Sequence, residues 1–110
     1  MTASEEMGPA EAADIIFFEV ESPDGFLARL EREQVFDTEH WQRLWEAVAR
    51  LVTYNNGVLD VWSSYDLARV IETVQALGQT LVGRSYSSLS AFEVQILEAN
   101  MFIAEMLAPS

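Results

Sequence analysis

TEHWQRLWEAVARLVTY, residues 38–54, carries the clearest helical pattern in the chain. Its apolar residues recur at separations of three and four, which places them along one face of an α-helix. Asp37 or Thr38 can cap the start of this helix, and Asn55-Asn56-Gly57 is a typical end. We therefore predict a helix over 38–54 that is buried along a single stripe. The stripe consists of Trp41, Leu44, Trp45, Val48, Leu51 and Val52.

Three further helices are predicted on either side, over about 23–34, 64–82 and 90–107. The last has the best-marked start, because Ser90 and Glu93 have the spacing of a capping box. Ser63 and Asp66 repeat that spacing ahead of the helix over 64–82. Gly78 lies inside that helix, where it either costs about 1 kcal/mol or permits a close helix crossing. The chain is therefore predicted to be mainly α.

The N-terminal third departs from this pattern. Residues 15–20, IIFFEV, are β-branched and aromatic and are followed by turn residues, which predicts a short strand. A lone strand needs a partner for its backbone groups. Residues 58–62 offer a possible second strand; otherwise the first pairs with its copy in a second subunit or with another protein. We expect residues 1–13 to form a disordered acidic tail and 14–110 a single helical domain.

The charge of the chain limits its partners. Eighteen acids stand against six bases, all arginine, for a formal net charge of −12. Such a chain repels phosphate backbones and anionic membranes, so we expect no direct nucleic-acid binding and no membrane association. It can attract a basic protein surface. The first residues are acidic rather than basic and apolar, so no signal peptide is recognised and we expect a cytoplasmic location.

The inventory of reactive side chains is poor. The chain has no Cys, no Lys and one histidine, His40. No nucleophile motif accompanies His40, so we interpret it as a structurally satisfied or solvent-exposed residue. No acidic run has the spacing of a calcium loop, and no glycine-rich phosphate loop occurs. We therefore expect no catalytic residue, no cofactor and no metal. Trp62 lies outside the predicted long helices and is the tryptophan we expect to be partly exposed.

The helix over 90–107 has more apolar surface than one buried side requires. Its acids and amides divide it into a narrow apolar stripe and a wide one. One helix side cannot bury both, so the wide stripe is either core, an interface between two copies, or an interface with another protein. The narrow stripe contains Val94, Leu97, Met101 and Ala104. The wide stripe, our candidate protein interface, contains Phe92, Ile96, Ala99, Phe102, Ile103, Met106 and Leu107.

These features favour binding over catalysis. The function predicted from the sequence is that of a non-enzymatic antagonist, of the antiactivator type known from bacterial regulation, that occupies the association surface of a regulator such as a transcription activator. A homodimer is also expected, because twofold dimers are the commonest oligomers. A secretion chaperone or a toxin-neutralising immunity protein is the alternative. An acidic mimic of nucleic acid fits less well, since the acids of residues 40–110 are sparse and partly paired with Arg.

Overall fold

The computed structural model describes residues 8–54 and 60–107, and over these residues the protein is mainly helical. The four predicted helices are present with small changes in their bounds, and a fifth precedes them. The chain divides into two compact units, Met1–Ala68 and Arg69–Ser110. The helices are α1 (Pro9–Glu21), α2 (Phe26–Glu33), α3 (Thr38–Tyr54), α4 (Val61–Gln79) and α5 (Ala91–Leu107), with a 3-10 turn at Tyr86–Ser88.

The predicted strand over 15–20 is wrong, because these residues lie inside α1. Pro9 occupies the first turn, where its missing N–H costs nothing. The buried residues of α1 follow at separations of three, one, three and one, a helical rather than an alternating pattern. Making this segment helical also satisfies its backbone groups without a partner strand. The buried residues are Ala12, Ile15, Ile16, Glu19 and Val20.

Two other predicted segments, the second strand and the N-terminal tail, fall partly outside the described residues. Residues 58 and 59 of the possible second strand lie outside them, and Val61 and Trp62 begin α4 instead. Residues 1–7 of the predicted tail also lie outside them, whereas residues 9–13 form the first turns of α1. Neither the rest of the tail nor the single domain over 14–110 is tested further.

The first unit is built around the packing of α1 on α2 and α3. Of the six residues of the predicted α3 stripe, Trp45 and Val52 are half-buried, and the others are buried: Trp41, Leu44, Val48 and Leu51. An aromatic cluster continues this core, with ring centroids of Phe26, Phe36 and Trp41 between 5.2 and 5.4 Å apart. Such pairs contribute beyond the burial of their area, so they fix how α2 enters this core.

The start of α4 differs from the predicted one by three residues. Asp60, rather than Ser63, precedes the helix, and its Oδ1 accepts a hydrogen bond of 2.6 Å from the Ser63 backbone N–H. Asp60 is therefore the cap, and Ser63 and Asp66 lie within the helix as buried polar residues. The capping box proposed for that pair is wrong, since the earlier carboxylate satisfies the same donor.

The capping box at the start of α5 is confirmed. The backbone N–H of Glu93 donates to Ser90 Oγ at 3.2 Å, and the backbone N–H of Ser90 donates to Glu93 Oε1 at 2.9 Å. Arg84 Nη1 donates to the same carboxylate at 2.9 Å, and Nη2 donates to the Ser88 carbonyl oxygen at 3.2 Å. The loop before α5 is therefore tied to the first turn of the helix.

Candidate protein-binding surface

The wide stripe of α5 does not form one continuous surface. Three of its members, at separations of three and four, are buried; Ile103 is only 1% exposed. Phe92 is half-buried. Phe102, Met106 and Leu107 are exposed, Phe102 to 43%. The buried members are Ile96, Ala99 and Ile103. Whether any of these seven residues contacts another protein stays a prediction.

The narrow stripe borders an open groove. Met101 is 65% exposed, more than any member of the wide stripe. The groove has a volume of about 500 Å³. Sequence reasoning placed Leu97, Met101 and Ala104 on one face but did not foresee that a loop residue, Tyr86, would complete the wall. We call this feature the α5 groove; it is lined by Tyr86, Leu97, Glu98, Asn100, Met101 and Ala104.

Asn100 is held rigidly at the edge of the α5 groove. Its Nδ2 donates to the Val74 carbonyl oxygen at 3.1 Å and to the Ile96 carbonyl oxygen at 2.8 Å. This amide lies close to Gly78, where an added Cβ would stand 2.5 Å from Nδ2. Gly78 therefore permits a close approach, the second of the two interpretations its position allowed. Both donors of the amide are used, so the Oδ1 acceptor is fixed in orientation.

The electrostatics of α5 are wholly negative. The helix carries Glu93, Glu98 and Glu105 and no basic residue. Arg84 is paired with Glu93, and the hydrogen bond from the Ser90 backbone N–H is the main reason why the pKa of Glu93 is lowered. Glu98 makes no hydrogen bond or ion pair with any residue in the described ranges, although it lines the groove.

A second polar cluster lies in the first unit. Glu19 is fully buried, and its Oε1 lies 2.7 Å from His40 Nδ1 and accepts a 3.0 Å hydrogen bond from the Phe26 backbone N–H. Asp37 Oδ1 accepts from the His40 backbone N–H at 3.1 Å, and Asp37 Oδ2 accepts from Arg29 Nη1 at 2.8 Å. That backbone hydrogen bond is the largest cause of the lowered pKa of Asp37.

This cluster joins helices and has the character of a structural network. Glu19 on α1 contacts His40 on α3 and completes the N-terminus of α2, whose N-cap Gly25 supplies no side chain. Of the two alternatives predicted for His40, a satisfied or a solvent-exposed residue, the structure shows the satisfied one. Its partner was missed, because a strand over 15–20 hid the helical spacing of Glu19. A cleft of about 310 Å³ lies beside it and includes the side chains of Phe18, Glu19 and Arg43.

A set of exposed aromatic residues lies at the start of α4. Trp62 is 80% exposed, which confirms the expectation for this tryptophan, and Val61 and Tyr65 are exposed as well. Trp and Tyr are the residue types that most often dominate binding energy when a partner covers them. The described residues contain nothing that indicates what would cover this set.

Residues 8–54 and 60–107 contain neither a candidate metal site nor a candidate membrane-spanning helix. Over these ranges no group of three or more His, Asp or Glu side chains could hold a metal ion. No helix in the same ranges has the length and apolarity needed to cross a membrane. Comparison of the chain with protein-family models, with curated proteins and with solved structures finds no match.

Proposed function

We propose that the protein is a non-enzymatic protein-binding antagonist of the antiactivator type, which acts in the cytoplasm by covering the association surface of a regulatory protein. The observation that carries the proposal is the apolar surface of α5 outside its buried line, above all Met101 beside the open α5 groove. Complete burial of a Met, Leu or Phe side chain is worth about 1.5–3 kcal/mol. Covering Met101, Phe102 and Leu107 would therefore contribute a binding free energy of several times RT.

The chemistry available elsewhere supports binding rather than catalysis. The Glu19–His40 pair resembles a general-base arrangement only in its distances. Its carboxylate is already used by the Phe26 backbone N–H and the imidazole. The adjoining cleft is lined by carboxylates, apolar side chains and Arg43, with no hydroxyl or thiol among them. A nucleophile would therefore have to come from outside this cleft.

Other functions predict different experimental results from those of an antagonist. A secretion chaperone would hold an extended client segment and leave that client partly unfolded. An immunity protein would block a toxin's active site. A nucleic-acid mimic would lose its partner steeply with added salt, whereas an apolar competitor would lose little. A homodimer through α5 would appear as twice 12.4 kDa in light scattering at micromolar concentration.

The proposal is tested by co-purification from the native cell with two acidic substitutions at exposed apolar residues. Met101→Asp and Phe102→Asp should remove the captured protein while circular dichroism shows that helicity is kept. Val82→Asp is the matched control, since Val82 is also an exposed apolar residue of the second unit but lies outside α5. Capture that is unchanged by both α5 variants, or lost equally in Val82→Asp, contradicts the proposal.

A buried member of the wide stripe provides the contrasting result. Ile103→Asp places a carboxylate at a position that is 1% exposed, so it should unfold the unit rather than merely weaken binding. If Phe102→Asp unfolds the protein as Ile103→Asp does, Phe102 belongs to the core and the binding surface is reduced to the groove side of α5.

A further inference from the structure

We infer that the α5 groove accepts an arginine side chain from the partner protein. The inference rests on the proposed function and names the chemistry of the partner at that same surface. It starts from the polar groups of the groove. Glu98 contributes a carboxylate with no hydrogen-bond or ion-pair partner in the described ranges, and both amide hydrogens of Asn100 are already used by backbone carbonyl oxygens.

The Glu98 carboxylate accepts hydrogen bonds and cannot donate them. A ligand that satisfies it must bring donors, and a cation does so best. A guanidinium has five N–H donors in a planar fork and can bond to both oxygens of a carboxylate at once, whereas an ammonium is a compact point charge.

The rest of the groove suits the arginine stem. Leu97, Met101 and Ala104 give an apolar floor against which three methylenes can pack, and Tyr86 supplies an exposed aromatic ring beside them. Arginine commonly buries its stem on apolar surface and places its guanidinium against an aromatic face. A volume of about 500 Å³ in an open groove leaves room for one such side chain and part of its backbone.

The charges of the chain favour a foreign partner over a second copy. Two α5 helices that paired face to face would bring Glu98 and Glu105 of both copies into one interface, and α5 has no base to offset them. The arginine in the loop before α5, Arg84, cannot serve these carboxylates, because it is already bound to Glu93 and the Ser88 carbonyl oxygen. A basic surface on a different protein would meet attraction from the whole chain, whose net charge is −12.

The experiment is an NMR titration of the full-length 15N-labelled protein with Nα-acetyl-arginine methylamide. The neutral isostere Nα-acetyl-citrulline methylamide and the lysine analogue serve as comparison probes. Arginine should shift the Asn100 side-chain amide and the backbone of residues 97–104 with a Kd on the order of 1 mM, as expected for a probe of this size. Citrulline and lysine should bind at least about fivefold more weakly.

Two variants distinguish binding of arginine in the groove from general attraction to a negatively charged protein. Glu98→Gln should weaken arginine binding about tenfold, whereas Glu105→Gln, which removes the same charge from α5 outside the groove lining, should leave it within twofold. Equal binding of lysine or citrulline, or equal loss in the two variants, overturns the assignment of an arginine site. Shifts of the groove signals on dilution of the protein alone overturn it too, because a second copy would then fill the groove.

The two proposals fail in different ways. Loss of partner capture in Met101→Asp together with no arginine shift would keep the binding function and remove the arginine. An arginine shift with capture that is indifferent to both Met101→Asp and Phe102→Asp would leave a groove that binds the side chain and remove the antagonist function.

Discussion

Glu19 and Glu98 lie on helices of similar apolar character, yet their surroundings are opposite. Glu19, in the first unit, is fully buried and is used by the Phe26 backbone N–H and by His40. Glu98, in the second unit, is exposed beside an apolar groove and meets no hydrogen-bonding or charged group in the described ranges. A carboxylate taken out of water must be paired within the chain, whereas one left at the surface keeps its hydration and its capacity for a partner.

The difference separates two roles for an acid in an acidic protein. In the first unit the Glu19 carboxylate stabilises the fold, since it links α1, α2 and α3. In the second unit Glu98 makes no hydrogen bond or ion pair with a described residue, so it has no comparable role in holding helices together. The comparison predicts that the two glutamates affect different measurements, one the free energy of unfolding and the other binding.

The largest expected effect is therefore on removal of Glu19. Glu19→Ala leaves the buried Phe26 N–H and the His40 ring nitrogen without their acceptor, which should lower the free energy of unfolding by about 3 kcal/mol. Glu98→Ala should change it by less than about 0.5 kcal/mol, since the residue is exposed and unpaired in the described ranges. Urea unfolding at pH 7 measures both. Equal effects of the two substitutions would remove the distinction between the units.

The first unit and the second unit also differ in what surrounds one glycine of each. A Cβ at Gly25 would overlap the Phe18 carbonyl oxygen and stand 2.8 Å from that of Glu19, both backbone atoms that cannot move aside. A Cβ at Gly78 would instead meet the end of the Asn100 side chain. Gly25→Ala should therefore cost about 2 kcal/mol, as overpacking does.

Gly78→Ala should be close to neutral in stability, because about 1 kcal/mol of helix propensity offsets the displaced Asn100 amide. Thermal unfolding of the two variants, with Gly8→Ala as a control in open space, checks the order. A Gly78→Ala variant less stable than Gly25→Ala would contradict it.

The capping groups give a smaller effect. Ser90→Ala removes the acceptor for the Glu93 N–H at the start of α5 and should cost about 1 kcal/mol. Because Arg84 still holds Glu93, the loop should keep its attachment to the helix. Ser87→Ala, in the same loop, is the control, since within the described residues Ser87 Oγ hydrogen-bonds only to Ser85 Oγ. Equal losses in the two variants would mean that the cap is not the cause.

The sequence was sufficient where one physical effect dominated. The spacing of Ser90 and Glu93 follows a single local rule, and that prediction holds. Four of the six residues predicted for the α3 stripe are buried, whereas Trp45 and Val52 are only partly buried. The sequence was insufficient at residues 15–20, where β-branched and aromatic composition favoured a strand and the buried spacing of Ile15, Ile16 and Glu19 favoured a helix. Tertiary packing on α3 resolved that conflict.

The candidate surface could be predicted only in part. Periodicity showed that α5 has two apolar stripes, but it could not show that Ile103 is buried while its neighbour Phe102 is exposed. The groove also depends on Tyr86, which reaches α5 through a loop whose position follows from the Arg84–Glu93 pair. Asn100 was missed because an amide at a helix edge has no sequence signature; its role depends on Val74 and Gly78, more than twenty residues away.

The smallest effect concerns pH. Hydrogen bonds to their carboxylates, chiefly from the backbone N–H groups of His40 and Ser90, lower the pKa of Asp37 in the first unit and of Glu93 in the second. A carboxyl whose folded-state pKa is depressed stabilises the fold above its unfolded pKa, and that stability is lost as the pH falls through the folded-state value. The contribution of these two carboxyls to the free energy of unfolding should therefore be complete from pH 7 to about 5 and be lost below about 4.

Asp37→Asn and Glu93→Gln should each flatten this acid limb, and the double variant should flatten it by the sum, because the two carboxylates share no partner among the described residues. Urea unfolding at pH 7, 4 and 3 measures the slope. An acid limb as steep in both single variants as in the unmodified protein would contradict the roles of Asp37 and Glu93.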